Sequence, residues 1–589
     1  MSDLLTYPIA IIGGGPVGLT ASILLSLHRI PHILFERHPS TSIHPKACGL
    51  NQRTTEIFQQ IGVYDEVLAQ SAPPQTCGRT AWFTSLGPDG RKIVDRDAWG
   101  GGQYAAEYEA ASPARYAILP QIRLEPILAK RARELNTGGV KFAAEVVDVE
   151  EQGDYVDLTI EHKDETKGRE IVRAKYVIAA DGGRMVTAKL GIEMHGQKDI
   201  IDMVTAHIRA PITAQHPDPG AFISWFINPS MGGSIGTGYL YHLGPYPSQP
   251  STEEWIFACG ILPDDPRQFD EEAMISRLNR TLNIPNLPIE LLSLSHWYVN
   301  AINAEKYRSS NGRVFLVGDA AHRVPPWGAL GLNTGIQDVN NLIWKLSLTL
   351  QKKCGPSLLD TYDSERRPVG ERVANASLVN LRAHNLIMDK ALGISPTNSA
   401  AENQRAVETY FDPSRPGHAQ MREDVEKAQK VLDTEFKAPG AEMGWFYPSA
   451  DIEGEGRETR HDGQVDEEGE LVTTKYVAMT IPGHHLPHFW LKKGERVVST
   501  RGMLRLDGLV LFTADAMAWG EFESRMVSVV AVDDENWQDV EGTWETASGV
   551  GAHGAVLVRP DGIVAWRSRL TQGNSADEIA TILAQVLKT

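Results

Sequence analysis

The sequence predicts an α/β protein of several domains: a parallel-sheet nucleotide domain, a mixed sheet inserted into it, and a separate C-terminal α/β unit. Three observations predict this. A glycine-rich turn, Ile12-Gly13-Gly14-Gly15-Pro16-Val17-Gly18, stands between an apolar run and a helical pattern. Two later segments, Ala180-Asp181-Gly182-Gly183-Arg184 and Gly312-Arg313-Val314-Phe315-Leu316-Val317-Gly318-Asp319-Ala320-Ala321-His322, each carry an acid out of an apolar run. Between those two, residues 200–299 change in texture to short β-like runs rich in aromatics. At 589 residues the chain also exceeds the roughly 100–200 residues of one domain.

Residues 9–12 read as a buried parallel strand. After the glycines, Leu19, Ile23, Leu24 and Leu27 recur at helical spacing. Residues 32–36 form a second strand ending in Glu36, which completes a βαβ opening of the Rossmann type. Residues 82–109 read as irregular or sheet, and 123–135 as a helix. Residues 146–149 and 155–160 alternate like half-exposed strands, and 176–180 read as a buried one. Phe222-Ile223-Ser224-Trp225-Phe226-Ile227 and Tyr239-Leu240-Tyr241 mark the inserted sheet. Residues 314–317 return to a buried strand, and 333–350 to a helix with Ile336, Val339, Leu342, Ile343 and Leu346 on one face. Residues 396–456 are polar and helix-prone and read as a link. Strands follow at 509–513 and 526–532, then a hairpin of 555–558 with 563–566 around Pro560-Asp561-Gly562. Ser575 with Glu578 forms a capping box that starts a terminal helix. The expected division is 1–80, 110–195 and 300–390 for the nucleotide domain, 81–109 and 196–299 for the inserted sheet, 391–455 for a helical linker, and 456–589 for the C-terminal domain.

Composition narrows the function. The net charge of −18 opposes binding to a phosphate backbone, so nucleic acid is not an expected partner. Cys48, Cys77, Cys259 and Cys354 are the four cysteines and form no C-x-x-C pair, which suits free thiols in the cytoplasm and argues against a disulfide scaffold or a metal site. Residues 9–27 lack charge, but the glycines would break a spanning helix and no Lys or Arg precedes them, so neither a membrane span nor a signal peptide is expected.

The glycines have distinct roles. Gly13 permits the tight turn, Gly15 lets backbone approach a pyrophosphate, and Gly18 lets the helix pack on the strand. Helix N-terminal amides, beginning at Pro16 and Val17, meet the phosphate charge, and Glu36 is placed to accept from a ribose hydroxyl. That motif alone does not separate NAD from FAD. Asp181 follows a buried strand into a topological crevice. Gly318-Asp319 bring a carboxylate to where a ribityl chain would lie. Pro325-Pro326-Trp327-Gly328-Ala329-Leu330-Gly331-Leu332-Asn333 then opens a helix whose free amides would meet the pyrimidine edge of an isoalloxazine. Together the three segments point to one FAD site built from separated pieces of chain.

On these residues the chain resembles the class A flavoprotein monooxygenases, the group of para-hydroxybenzoate hydroxylase and phenol hydroxylase, over roughly residues 5–385. Its tail, with Gly554-Ala555-Val556-Leu557-Val558-Arg559-Pro560-Asp561-Gly562-Ile563-Val564-Ala565-Trp566-Arg567, resembles the thioredoxin-like domain of the phenol hydroxylase and chlorophenol monooxygenase branch. That tail holds no cysteine, so thiol–disulfide activity is not expected of it. The resemblance implies noncovalent FAD, NADPH or NADH as transient reductant, O2 as co-substrate, and a flavin C4a-hydroperoxide as oxygen donor to a small aromatic substrate, in a chain that forms a possible homodimer. It places Lys46 where relatives have Arg near the flavin, Gln121 at a cofactor-contacting glutamine, Arg37 within reach of the adenosine ribose or phosphate, and Pro326 at the border of the oxygenation site. Cys48 falls where relatives carry an Asp or His that helps deprotonate the phenol. A small filler is the plainer reading of a cysteine there, because a thiolate would need a strongly perturbed site. Val324 replaces a second His, and Trp327 a smaller residue. Phe222, Trp225, Phe226, Trp327 and Cys48 are expected to line the substrate pocket. Tyr239 and Tyr241 share one strand face and are expected to hydrogen-bond a phenolate; aromatic packing across strands is the alternative reading. The expected activity is hydroxylation of a phenolic or polyketide-type aromatic ring. Baeyer–Villiger oxygen insertion on the same scaffold, or a non-catalytic flavoprotein, stand as alternatives.

Overall fold

A continuous apolar run makes sense only where both faces of a strand are covered, and Leu5–Ile12 sits in that position. It pairs in parallel with His32–Phe35 on one side and with Arg169–Ala179 on the other. In this computed structural model, which describes residues 5–163, 168–234, 236–262, 265, 269–447, 461, 463–568 and 576–589, the nucleotide sheet runs in the order Val140–Lys141, His32–Phe35, Leu5–Ile12, Arg169–Ala179, Tyr155–His162, Ala144–Gln152. The strand Arg169–Ala179 has two partners. Residues 169–174 pair antiparallel with Tyr155–His162, and residues 177–179 pair parallel with Val314–Leu316. The three ligand-facing segments therefore leave neighbouring strands at the same edge.

Helix Pro16–Leu27 packs between helices Gln121–Leu135 and Gly331–Leu350. The approach of the last is close: a Cβ on Gly335 would lie 2.7 Å from Val17 Cγ2 and 3.0 Å from the Gly318 Cα. Only glycine allows this junction between the first and third segments.

The inserted sheet runs Glu290–Tyr298, Asp202–Arg209, Glu254–Gly260, Tyr239–Gly244, Ile223–Phe226, Arg79–Phe83, Lys92–Asp97. Its period-2 alternation makes two cores. Trp82, Phe222, Trp225 and Tyr241 join Trp99 and Trp327 on the face toward the nucleotide domain. Phe83, Phe226, Leu240 and Phe257 pack on the opposite face, over helix Glu271–Leu282.

In the C-terminal unit, Leu509–Thr513 pairs parallel with Val527–Ala531 and antiparallel with Ala555–Val558, which returns as the strand Val564–Ser568. Helix Ala576–Leu587 lays Ile582 and Leu583 on Leu511 and Trp566. This order and these directions are thioredoxin-like. The expected capping box at Ser575 and Glu578 lies outside the described residues.

The polar stretch before this unit is more than a connector. Its helices Ala400–Phe411, His418–Val431 and Asp433–Phe436 bury Tyr410, Val425 and Phe436 in the same cluster as Trp82 and Trp225. Among the described residues, no helix is long and apolar enough to cross a membrane, and no cluster of potential metal ligands occurs.

Candidate active site

The glycine turn is shaped from both sides. Gly13 has φ +106°, and a Cβ there would overlap the Ala180 carbonyl; one on Gly18 would overlap the carbonyl of Gly13. Gly15 differs, since a Cβ there would meet nothing within 4 Å. The first and third glycines serve packing, while the second faces open space where a phosphate can approach. Pro16 occupies the start of the helix and no acid stands in its first turn, so the positive end of the helix dipole is uncompensated there. Glu36 accepts from the Gly14 amide at 2.7 Å and the His38 amide at 2.8 Å. Its carboxylate is thereby held at the end of the second strand with lone pairs to spare.

The third segment is set by a buried charge cluster. Asp338 accepts from the Gly318 amide at 3.0 Å, from His322 Nε2 at 2.8 Å and from Arg366 Nε at 2.8 Å. Burial alone would raise its carboxyl, but Arg366 and His322 hold it below the usual range. Gly318 takes φ +57° and turns Asp319 outward. The Asp319 carboxylate makes no hydrogen bond or ion pair among the described residues and is exposed. Surrounding protein nonetheless raises its carboxyl, with His322, Lys46 and Arg323 opposing. A group both open and hemmed in lines a recess. Lys46, which also acts on Glu125, brings the loop before Cys48 to the same recess. Gln121 donates to Glu125 Oε1 at 2.5 Å and its amide binds the Ala47 carbonyl at 2.9 Å, which holds that loop in place. Arg37 is half-buried, with Nε on His38 at 3.1 Å.

Helix Gly331–Leu350 begins without a side-chain cap. Asn333 is turned away from capping: it accepts from the Asn51 amide at 3.0 Å and donates to the carbonyls of Gly49 at 2.9 Å and Ala329 at 2.6 Å. The Gly331 and Leu332 amides are left to an incoming acceptor.

Aromatic rings adjoin this recess. Trp225 lies 4.9 Å from Tyr239, and Tyr239 stacks on Tyr241 at 6.2 Å. Phe222 contacts Tyr241 at 5.4 Å and Trp99 at 6.0 Å. Tyr241 Oη donates to the Lys46 carbonyl at 3.2 Å, so the sheet touches the cofactor loop directly. Pro326 is exposed beside buried Trp327.

Three expectations change. Asp181 is not a free acceptor: its oxygens take the amides of Gly183 at 3.0 Å, Met185 at 2.8 Å and Val186 at 3.0 Å. It shapes its own loop and so backs the Gly13 turn. Phe226 does not line the chamber, because it follows Trp225 by one residue and alternation sends it to the far face. Tyr241 spends its hydroxyl proton on Lys46, which leaves Tyr239 as the tyrosine with no such bond. At Cys48 burial pushes the thiol up to about 12, which argues against the thiolate, the less favoured of its two readings.

Other groups at the site escaped the sequence reading. Asp338 and Arg366 sit on the helices Gly331–Leu350 and Thr361–Ala391, where an acid and a base look like ordinary surface residues until their burial is known. His384 and Glu435 form a pair at 2.8 Å, with His384 on Trp225 at 4.0 Å between ring centroids. Glu442 lies in a π-helical turn, Gly440–Gly444, and accepts from Tyr108 at 3.3 Å; burial lifts its carboxyl to about 8. A π-turn in the chain was the one available signal, and it is invisible without coordinates.

The comparisons with known proteins agree with this geometry. An FAD binding domain family matches residues 6–377 and an aromatic-ring hydroxylase C-terminal family matches residues 479–589. This chain belongs to the FAD-dependent aromatic-ring hydroxylases. Among its relatives, a 2,4-dichlorophenol 6-monooxygenase of Delftia acidovorans is 30% identical, covering 98% of each chain. A putative polyketide hydroxylase of Streptomyces halstedii is 30% identical over 99% of this chain and 96% of the relative. The crystal structure of the flavin-dependent monooxygenase PieE in complex with FAD and substrate superposes with a TM-score of 0.90 at 32% identity, covering 99% of each chain. The hydroxylase scaffold and its flavin fit the residues present. The open side of Gly15, the unpaired carboxylate of Asp319 and the uncapped helix at Gly331 supply the contacts that a pyrophosphate, a polyol and an electron-accepting ring require.

Proposed function

We propose that this flavin-dependent aromatic monooxygenase hydroxylates a phenolic or polyketide-type ring, using O2 and either NADPH or NADH, in a reducing cytoplasm that suits its four free thiols. The observation that carries the reading is the exposed, unpartnered carboxylate of Asp319 near Lys46, whose carbonyl accepts from Tyr241 of the inserted sheet's aromatic face. Gly13, Gly15, Gly18, Pro16 and Val17 receive the pyrophosphate. Glu36 and Arg37 hold the adenosine ribose, and Lys46, Gln121 and Asp319 border the ribityl chain. The amides of Gly331, Leu332 and Asn333 stabilise negative charge on the ring system, while Asp181 and Gly318 set the turns beneath. When bound, the flavin supplies the activated oxygen. The chain's own work is to place the substrate ring among Phe222, Trp225, Trp327 and Tyr239, with Pro326 at the border, and to keep water out of that contact.

Substrate class is proposed from the chamber's composition. The cluster of Trp82, Trp99, Trp225 and Trp327 suits a flat aromatic ring system. The dichlorophenol and polyketide hydroxylase relatives span small and large versions of that chemistry. The test is NADPH and NADH consumption by the flavin-loaded protein across a panel from 2,4-dichlorophenol to hydroxylated anthraquinones, with product structure read by NMR. Stimulated consumption with a new ring hydroxyl is expected. Oxygen inserted beside a ketone, or no stimulation by any phenol, would refute the assignment.

A further inference from the structure

We propose that His384, oriented by Glu435, is the base that takes the hydroxyl proton of the aromatic substrate. This rests on the hydroxylase reading and names the group that reading lacks, since Cys48 packs against the aromatic cluster of Trp225 and Tyr241 and Val324 packs in an apolar cluster with Leu330 and Val369.

Position comes first. Helix Thr361–Ala391 runs past the loop that precedes helix Gly331–Leu350. Asn380 reaches the Trp327 carbonyl at 3.5 Å and the Thr434 carbonyl at 3.1 Å, while Thr434 donates back to Asn380 at 2.8 Å. His384 is four residues on, on the same helix face, about 6 Å further along the axis. Glu435 follows Thr434. The pair that anchors the Trp327 loop and the pair that could move a proton are therefore consecutive rungs between the same two elements. His384 is 8% exposed and its ring lies against Trp225 and Trp82, at 4.0 and 6.1 Å between centroids. It belongs to the wall that carries Tyr239.

Orientation follows. Nδ1 lies 2.8 Å from Glu435 Oε2. A carboxylate only accepts, so Nδ1 carries a hydrogen, and in the neutral ring the lone pair is then on Nε2. Nε2 has no hydrogen-bond partner among the described residues, and it is not one of their sealed, unpartnered atoms. An acid that fixes one nitrogen of a histidine and leaves the other free is the arrangement of a general base.

The step balances simply. The substrate O–H bond breaks and its electron pair stays on oxygen. A new N–H bond forms at Nε2, and the Glu435 carboxylate offsets the imidazolium charge. The phenolate then has the electron density at its ring carbon that oxygen transfer requires. Other nearby groups do not compete. Tyr239 is raised by burial. Asp389, further along the same helix, accepts from the Ser234 amide at 2.9 Å, and burial pushes it to about 6. Arg96 lies beyond Phe436, 5.2 Å from its ring, and is paired with Asp433.

The test uses flavin-loaded protein and whichever phenol of the panel the wild type consumes fastest. His384→Gln is expected to lose about 100-fold in kcat/KM at neutral pH and to regain it as the pH nears the phenol's own pKa. Without NADPH, the phenol bound to His384→Gln is expected to keep the absorption of its protonated form where the wild-type complex shows phenolate. Glu435→Gln is expected to fall between the two, and it decides the matter if His384→Gln fails to retain flavin. A loss equal at every pH, or a phenolate spectrum unchanged in both variants, would overturn the proposal while leaving the hydroxylase reading intact. A wild type that oxidises no phenol would overturn both.

Discussion

Asp319 is expected to carry more of the cofactor's affinity than the glycines around it, because among the described residues its carboxylate has no partner. An ionised acceptor gives a hydrogen bond of roughly 1.5–3 kcal/mol, so Asp319→Ala is expected to weaken FAD binding roughly 10- to 100-fold. Dialysis followed by visible flavin absorbance checks this, and a variant that stays as yellow as wild type would remove Asp319 from the cradle. The same residue shows why this part of the site was legible. Gly318-Asp319 is a short pattern at the end of an apolar strand, and its geometry is fixed within a few residues. His384 and Glu435 are 51 positions apart, and neither belongs to a pattern. Asp181 was read less fully, because an acid after a strand looks the same whether or not its oxygens also take the amides of its own loop, as they do here.

At the scale of elements, strand and helix were readable where burial imposes a period. The apolar runs at 9–12 and 314–317 needed only apolarity, and the inserted sheet showed itself in short runs rich in aromatics. Alternation also corrects Phe226, since two adjacent aromatics cannot share a face. The stretch from 391 to 455 was harder. Its helices are polar on the outside and contribute Phe436, Glu435 and Glu442 inward, and which sparse residues turn inward depends on the partner surface. Glu442 makes a measurable case. Its folded carboxyl stands at about 8, above the roughly 4.3 of an unfolded glutamate. A raised carboxyl contributes stability that is full below the unfolded value and lost as pH climbs through the folded one. Glu442→Gln keeps a neutral side chain and abolishes that loss. Its melting temperature should match wild type near pH 4 and exceed it increasingly toward pH 8, by differential scanning calorimetry at fixed ionic strength. Equal melting temperatures at both ends would mean that Glu442 is not sequestered as the π-turn places it.

At the scale of the whole molecule, buried charges of the nucleotide domain and of the C-terminal unit meet in one network. Arg559 of the thioredoxin-like unit pairs with Glu365 at 2.7 Å and with Asp561 at 2.5 Å, and Lys345 joins Glu365 at 2.7 Å. Nearby, Glu56 takes Arg53 at 2.6 Å and also Arg501, while Arg53 reaches the Asp561 carbonyl. All these side chains are nearly inaccessible, and their partners lie up to 508 positions apart, which is why no local pattern in the sequence announced them. Removing one member of such a buried set leaves the rest uncompensated at a cost of about 3–5 kcal/mol. Burial would raise the Glu365 carboxyl, but Arg559 and Lys345 outweigh it and hold the group far below its ordinary range. A depressed carboxyl contributes stability above its unfolded value of about 4.3 and loses it as pH falls through the folded one. The wild-type junction should therefore hold at pH 5 and open only in stronger acid. Arg559→Met removes the main cause of the depression, so its junction should open at a higher pH, with the C-terminal unit becoming sensitive to protease while the nucleotide domain keeps its flavin. Trp344, 5.2 Å beneath the Arg559 guanidinium, reports the opening by fluorescence. An acid transition that stays at the same pH in Arg559→Met would show that apolar packing, rather than the Glu365 network, fastens the two units.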